Sequence, residues 1–131
     1  MPGPASSRPA PALELSVYLL AGDRLSGRPL HRMLLDRALA AGLAGATVSL
    51  GMLGFGASGQ WHRSGLRGPG VSAPVLFQVI GPEAAIRAFV AEIDQLIESG
   101  LITLRPAAVI RRAAGGLAGD AAPAGSGQPP A

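Results

Sequence analysis

A strand-length alternation followed by a helix-length stripe occurs twice in this chain, and that recurrence limits the fold more than any other feature. LELSVYLL, beginning at Leu13, sets Leu13, Leu15, Val17 and Leu19 on one side and Glu14, Ser16, Tyr18 and Leu20 on the other, the period-two signature of a strand. AGDRLSGR then supplies turn residues, and Pro29 stands where a first helical residue tolerates a missing N–H. Leu30, Met33, Leu34, Ala38 and Ala41 recur at helical spacing, with Gly42 as the stop. The second occurrence starts with PVLFQVI from Pro74, apolar on both faces. Gly81 and Pro82 open a helix with Glu83 in its first turn and a stripe of Ile86, Phe89, Val90, Ile93 and Ile97, predicted to end at Gly100.

Between the two pairs, Ala46, Val48, Leu50 and Met52 alternate with Thr47, Ser49, Gly51 and Leu53 as a further strand. After the second helix, LITL and AAVIR are split by Pro106, which predicts a short edge piece and then a last strand. The order βαββαβ is the α+β, ferredoxin-like sandwich: an antiparallel four-stranded sheet with two helices on one face. The other face is expected to carry Tyr18, Leu20, Leu76, Ile80 and either Ala108 and Ile110 or their neighbours, apolar and uncovered. A homo-oligomer is the simplest cover for it.

Of the 131 residues, 48% are hydrophobic and only 15% charged, enough for one core and sparse for the surface of a small monomer. Residues 1–12, and those from 113 to 131, are rich in Pro, Gly and Ala, and read as disordered tails around a domain at 13–112. The net charge of +3 rests on Arg alone, with no basic run longer than Arg111-Arg112 and few aromatics, which argues against nucleic acid. Cys is absent, so disulfides and thiolate chemistry are excluded. The Pro-rich N-terminus lacks the apolar run of a signal peptide, and the cytoplasm is the expected location.

The stretch from Gly42 to Gly59 offers two sharper readings. Positions 38–61 are uncharged, long enough for a membrane span, but the helical stripe ends at Gly42 and a strand begins. Gly54-Phe55-Gly56-Ala57-Ser58-Gly59 matches G-x-G-x-x-G after a strand. A dinucleotide fingerprint also needs a following helix and an acidic residue about 20 positions on. QWHRSGLRGPG is no helix, and no Asp or Glu occurs between Asp36 and Glu83. What remains is a glycine hinge that lets a long loop, 54–73, leave the sheet, or a nest of backbone N–H groups for a phosphate.

Trp61, His62 and Arg63 sit in that loop with Arg67. A bulky aromatic there serves a partner contact, a ligand platform or subunit packing. His62 has no sequence-neighbouring carboxylate to make it a general base, and with His31 it is too poor a set for a metal. Arg111 and Arg112 clamp phosphates or are solvated.

GRPL at 27–30, AGLAGATV at 41–48, GFGASGQWH at 54–62 and IRAFVAEIDQLIESGLITL at 86–104 resemble, in order and spacing, the family called domain of unknown function 190, whose members are similar in fold to the nitrogen-regulatory PII signal proteins. The resemblance implies a PII-like trimer that is not an enzyme and binds small effectors, typically adenine nucleotides, in clefts between subunits. Gly54, Phe55, Gly56, Ser58, His62, Gly81, Arg111 and Arg112 then become ligand-binding candidates, and Trp61, Arg63 and Arg67 the partner loop, facing a membrane transporter or an enzyme. Leu20, Ala21, Leu50 and Ser72-Ala73-Pro74 depart from the family pattern, each change removing a charge near the implied cleft or the loop base. Two other readings stand beside it: a structural or metal-responsive trimer of the CutA-like type, and a small ferredoxin-like enzyme using His62.

Overall fold

The computed structural model describes residues 8–56, 59–63 and 72–112. It holds four long strands, β1 (Ala10–Leu20), β2 (Gly45–Leu50), β3 (Pro74–Gly81) and β4 (Leu101–Val109), and two helices, α1 (Leu30–Ala40) and α2 (Glu83–Asp94). The strands form one antiparallel sheet in the order β2-β3-β1-β4, so the ferredoxin-like expectation holds. The chain divides into a central compact unit, 11–107, and a terminal one that includes 8–10 and 108–112 among the described residues.

Register fixes which side chains share a face. Val17 pairs with Phe77 and Phe77 with Val48, while Tyr18 pairs with Leu76 and Leu76 with Ser49. Successive strand residues point to opposite faces. The set Leu13, Leu15, Val17, Leu19, Val75, Phe77 and Val79 is therefore buried together, against Leu30, Leu34 and Ala38 of α1 and Ile86, Phe89 and Ile93 of α2. Both helices cover this one face. Phe77 and Phe89 meet across the layer with ring centroids 6.3 Å apart.

Gly42 closes α1 as expected, with φ +71°. Its N–H donates to the Leu39 carbonyl at 3.1 Å and the Leu43 N–H to that of Ala38 at 3.3 Å, the paired bonds of a Schellman end. A tight ribbon, Arg24–Leu25 with Arg28–Pro29, precedes α1 and turns through Ser26 and Gly27, both at positive φ.

Several boundaries differ from the sequence reading. β1 starts at Ala10, inside the stretch expected to be a tail, because Ala12 and Leu13 are both buried. Of the expected tails, positions 1–7 and 113–131 lie outside the described residues. α2 stops at Asp94 instead of running to Gly100. Pro106 does not interrupt β4, since an edge strand bonds along one side only and tolerates a missing N–H. The uncovered face is also less apolar than expected. Ser16, Gln78 and Thr47 lie in register across its middle, and the Gln78 Nε2 donates to the Ser16 Oγ at 3.1 Å.

Candidate functional site

The apolar part of the helix-free face lies at one end of the sheet, where Tyr18 pairs with Leu76 and Leu20 with Pro74. β2 ends at Leu50, because the Pro74 opposite the next residue has no N–H to return, and that next residue is Gly51. Its N–H donates to the Pro74 carbonyl at 2.7 Å, and a Cβ on it would come within 2.9 Å of the Pro74 Cγ, so only Gly permits this approach. Two residues further, Leu53–Gly54 pairs with His62–Arg63 as a second ribbon, so the expected structureless loop has a paired base. The Gly59 N–H donates to the Gly56 carbonyl at 2.9 Å, and Gly59 has φ +76°. Phe55 and Trp61 meet edge to face at 5.1 Å.

A cleft of about 370 Å³ opens between this ribbon and the sheet end. Tyr18, Leu20, Leu50, Leu76 and Phe55 supply its apolar walls, Gly54, Gly56 and Gly100 bare backbone, and Asp23, Ser49 and His62 the polar points. Its size falls within the range of small-molecule sites. Asp23 is pinned at the strand end: its Oδ2 accepts the Leu20 N–H at 2.9 Å and its carbonyl accepts the Leu30 N–H at 2.8 Å. Gly100 acts through close approach, not as a helix cap. A Cβ there would sit 3.0 Å from the Tyr18 carbonyl oxygen.

Of the residues singled out in the sequence, the structure brings Gly54, Phe55, Gly56 and His62 to this cleft. Trp61 and Arg63 stand on the ribbon beside it, exposed. Gly81 pairs with Leu13 at the far end of β3, where its absent Cβ makes room for the Leu43 Cδ2 at 3.1 Å. Arg111 and Arg112 follow the end of β4 in the terminal unit, exposed. Ser58 and Arg67 lie outside the described residues. Sequence reasoning missed Asp23, Ser49 and Gly100 as cleft residues. Asp23 alone left a signal, as an acid in the turn that follows a strand.

Among the described residues no Arg lines the cleft. Two of its apolar walls, Leu20 and Leu50, are positions where the sequence departs from the pattern it resembles by losing charge. The other histidine, His31 at the start of α1, has its Nδ1 buried without a hydrogen-bond partner. Desolvation by burial lowers its pKa below the ordinary 6.5, and the Arg32 and Arg24 charges lower it further. Among the described residues no group of three or more His, Asp or Glu is placed to hold a metal ion, and no helix is long and apolar enough to cross a membrane.

The family model for DUF190, described as an uncharacterised ACR, matches residues 12–109. The chain belongs to the DUF190 family. A UPF0166 protein of Aquifex aeolicus (strain VF5) is 33% identical over 96 residues, 73% of this chain and 90% of that protein. Among solved structures, CPII, a nitrogen regulatory PII-like protein of Thiomonas intermedia K12 bound to ADP, AMP and bicarbonate, superposes with a TM-score of 0.61 at 18% identity, covering 81% of this chain and 94% of that one. A putative PII-like signalling protein of Thermus thermophilus gives a TM-score of 0.55 at 12% identity, over 78% and 92% of the two chains. The DUF190 chain therefore has a PII-like fold, as its sequence resemblance implied.

Proposed function

We propose that this DUF190 protein is a non-enzymatic, PII-like regulator in the cytoplasm. It assembles as a homotrimer, takes an adenine nucleotide as effector, and meets a transporter or enzyme through its 54–73 loop. The observation that carries the reading is the cleft at the root of the Leu53–Arg63 ribbon, where an occupant touches the sheet and the loop at once. Tyr18 and Leu76, paired on the helix-free face, offer an apolar seat for a purine ring. A phosphate needs donors or cations. The cleft lining supplies bare backbone at Gly54 and Gly56, and the cations would come from Arg63 on the ribbon and from Arg111 and Arg112 of a neighbouring copy. Gly81 would likewise contribute from the neighbour. Binding of ADP, AMP and bicarbonate by the similarly folded CPII supports the choice of ligands to try.

Calorimetric titration with ATP, ADP, AMP and cyclic nucleotides, with and without bicarbonate, tests the reading. Saturable binding is expected for at least one adenine nucleotide, and it should disappear in Ser49→Phe, which places a ring in the cleft from an exposed strand position. Silence across the whole panel removes the nucleotide reading.

A further inference from the structure

The two flanks of the cleft differ in charge, and the sheet order sets them apart. β3 lies between β2 and β1, so the ribbon that follows β2 stands on one side of Pro74 and the turn that follows β1 on the other. On the ribbon flank the lining offers bare backbone at Gly54 and Gly56 together with His62, and Arg63 stands on that ribbon. On the β1 flank it includes Asp23. Among the described residues the ion pairs engage Glu14, Asp36, Glu83 and Glu92, each with an Arg, and Asp23 belongs to none of them. The adjacent Arg24 donates from its Nη1 to the Gly27 carbonyl at 3.1 Å instead. Asp23 is part-buried and fixed in place: its Oδ2 accepts the Leu20 N–H at 2.9 Å, its own N–H donates to the Leu20 carbonyl at 3.0 Å, and its carbonyl accepts the Leu30 N–H at 2.8 Å. A carboxylate has about four acceptor sites. One holds the turn, and the rest suit a donor brought by an occupant of the cleft.

We infer that Asp23 orients the occupant by accepting the neighbouring hydroxyls of a ribose, so that the phosphate chain leaves by the ribbon flank. The inference rests on the reading of the effector as an adenine nucleotide, and adds which group selects its sugar and which way the molecule lies. An ionised carboxylate accepts and cannot donate, so it suits a ligand's hydroxyls and repels its phosphates. In dinucleotide-binding folds an acid takes the ribose 2′-hydroxyl by the same donor and acceptor logic. Reach agrees with this assignment. Tyr18 and Leu20 share a face about 6.6 Å apart along β1, and Asp23 follows in the turn, so a purine over Tyr18 and Leu76 has its sugar beside Leu20 and Asp23. The reverse orientation would set phosphate and carboxylate together, like charge against like.

Calorimetric titration of the full chain with AMP and ADP, and with the 2′-deoxy and 3′-deoxy form of each, tests the inference. Removal of a hydroxyl should weaken binding about tenfold or more, the loss expected when a hydrogen bond to a charged group goes unmade. Asp23→Asn keeps an amide oxygen for the Leu20 N–H, so its melting temperature should stay near that of the wild type. In that variant the gap between each nucleotide and its deoxy forms should narrow, because a sugar hydroxyl and the carboxylate that receives it act as one pair. Deoxy forms that bind the wild type as tightly as the parent nucleotides overturn the inference and leave the effector reading standing. A gap that persists unchanged in Asp23→Asn overturns the assignment to Asp23. Silence toward every adenine compound removes the effector reading and this inference together.

Discussion

β1 and β3 are used twice, and their two faces invite comparison. On the helix-covered face Leu15, Val17 and Phe77 are fully buried and interlocked with both helices. One residue along, Tyr18, Leu76 and Ser49 sit in register on the opposite face, part-exposed around a cleft. The backbone is the same in both cases. What differs is what lies over it, so one face holds the fold together and the other is left for recognition. A change on the first should cost stability, and a change on the second should cost binding.

The largest expected effect tests the first half of that statement. Phe77→Ala removes a ring with no exposure and its contact with Phe89, and should lower unfolding free energy by about 3–5 kcal/mol, measured by denaturant titration. Ser49→Phe, on the other face of the sheet, should stay near wild type. Equal losses in the two variants would erase the distinction.

A smaller effect sharpens it at the rim of the cleft. Gly51→Ala puts a methyl group 2.9 Å from the Pro74 ring and should cost about 1–3 kcal/mol through overpacking, with weakened effector binding. Gly56→Ala, also at the cleft but with nothing within 4 Å of the new methyl, should leave stability unchanged. Thermal melts of the pair, alongside calorimetry, separate the contribution of close approach from that of glycine as such.

The smallest effect is a pH dependence seated away from both faces, at His31. Its folded-state pKa lies below the ordinary 6.5, so between the two values the unfolded chain binds more protons than the folded one. Stability from this group is complete above 6.5 and declines as pH falls toward the folded-state value. The melting temperature should therefore drop on mild acidification, and His31→Gln should flatten that slope.

Much of this was readable in advance, for identifiable reasons. The alternation in LELSVYLL and the stripe Ile86, Phe89, Ile93 report burial directly, because a strand or helix with one apolar face has few ways to hide it. Gly42 marked a helix end because only a residue without Cβ adopts its φ at no cost. Ends that depend on distant neighbours were not readable. α2 stops before Gly100, and Gly100 is instead required by the Tyr18 carbonyl, a contact between parts of the chain far apart in sequence. Pro106 read as a break, because an edge position cannot be known before the strand order is.

The candidate site divides in the same way. Its glycines and His62 stood out as a local run, Gly54 to His62, and the family resemblance rested on that run. Asp23, Ser49 and Leu76 join them only because β1, β2 and β3 end side by side. Element order, the covered face and the family follow from spacing and local residue type, which any segment carries on its own. Tertiary structure alone decided that the uncovered face is polar across its middle, and that its apolar end closes beneath a paired ribbon into a cleft. Those outcomes depend on register, which aligns residues tens of positions apart and leaves no trace in any one segment.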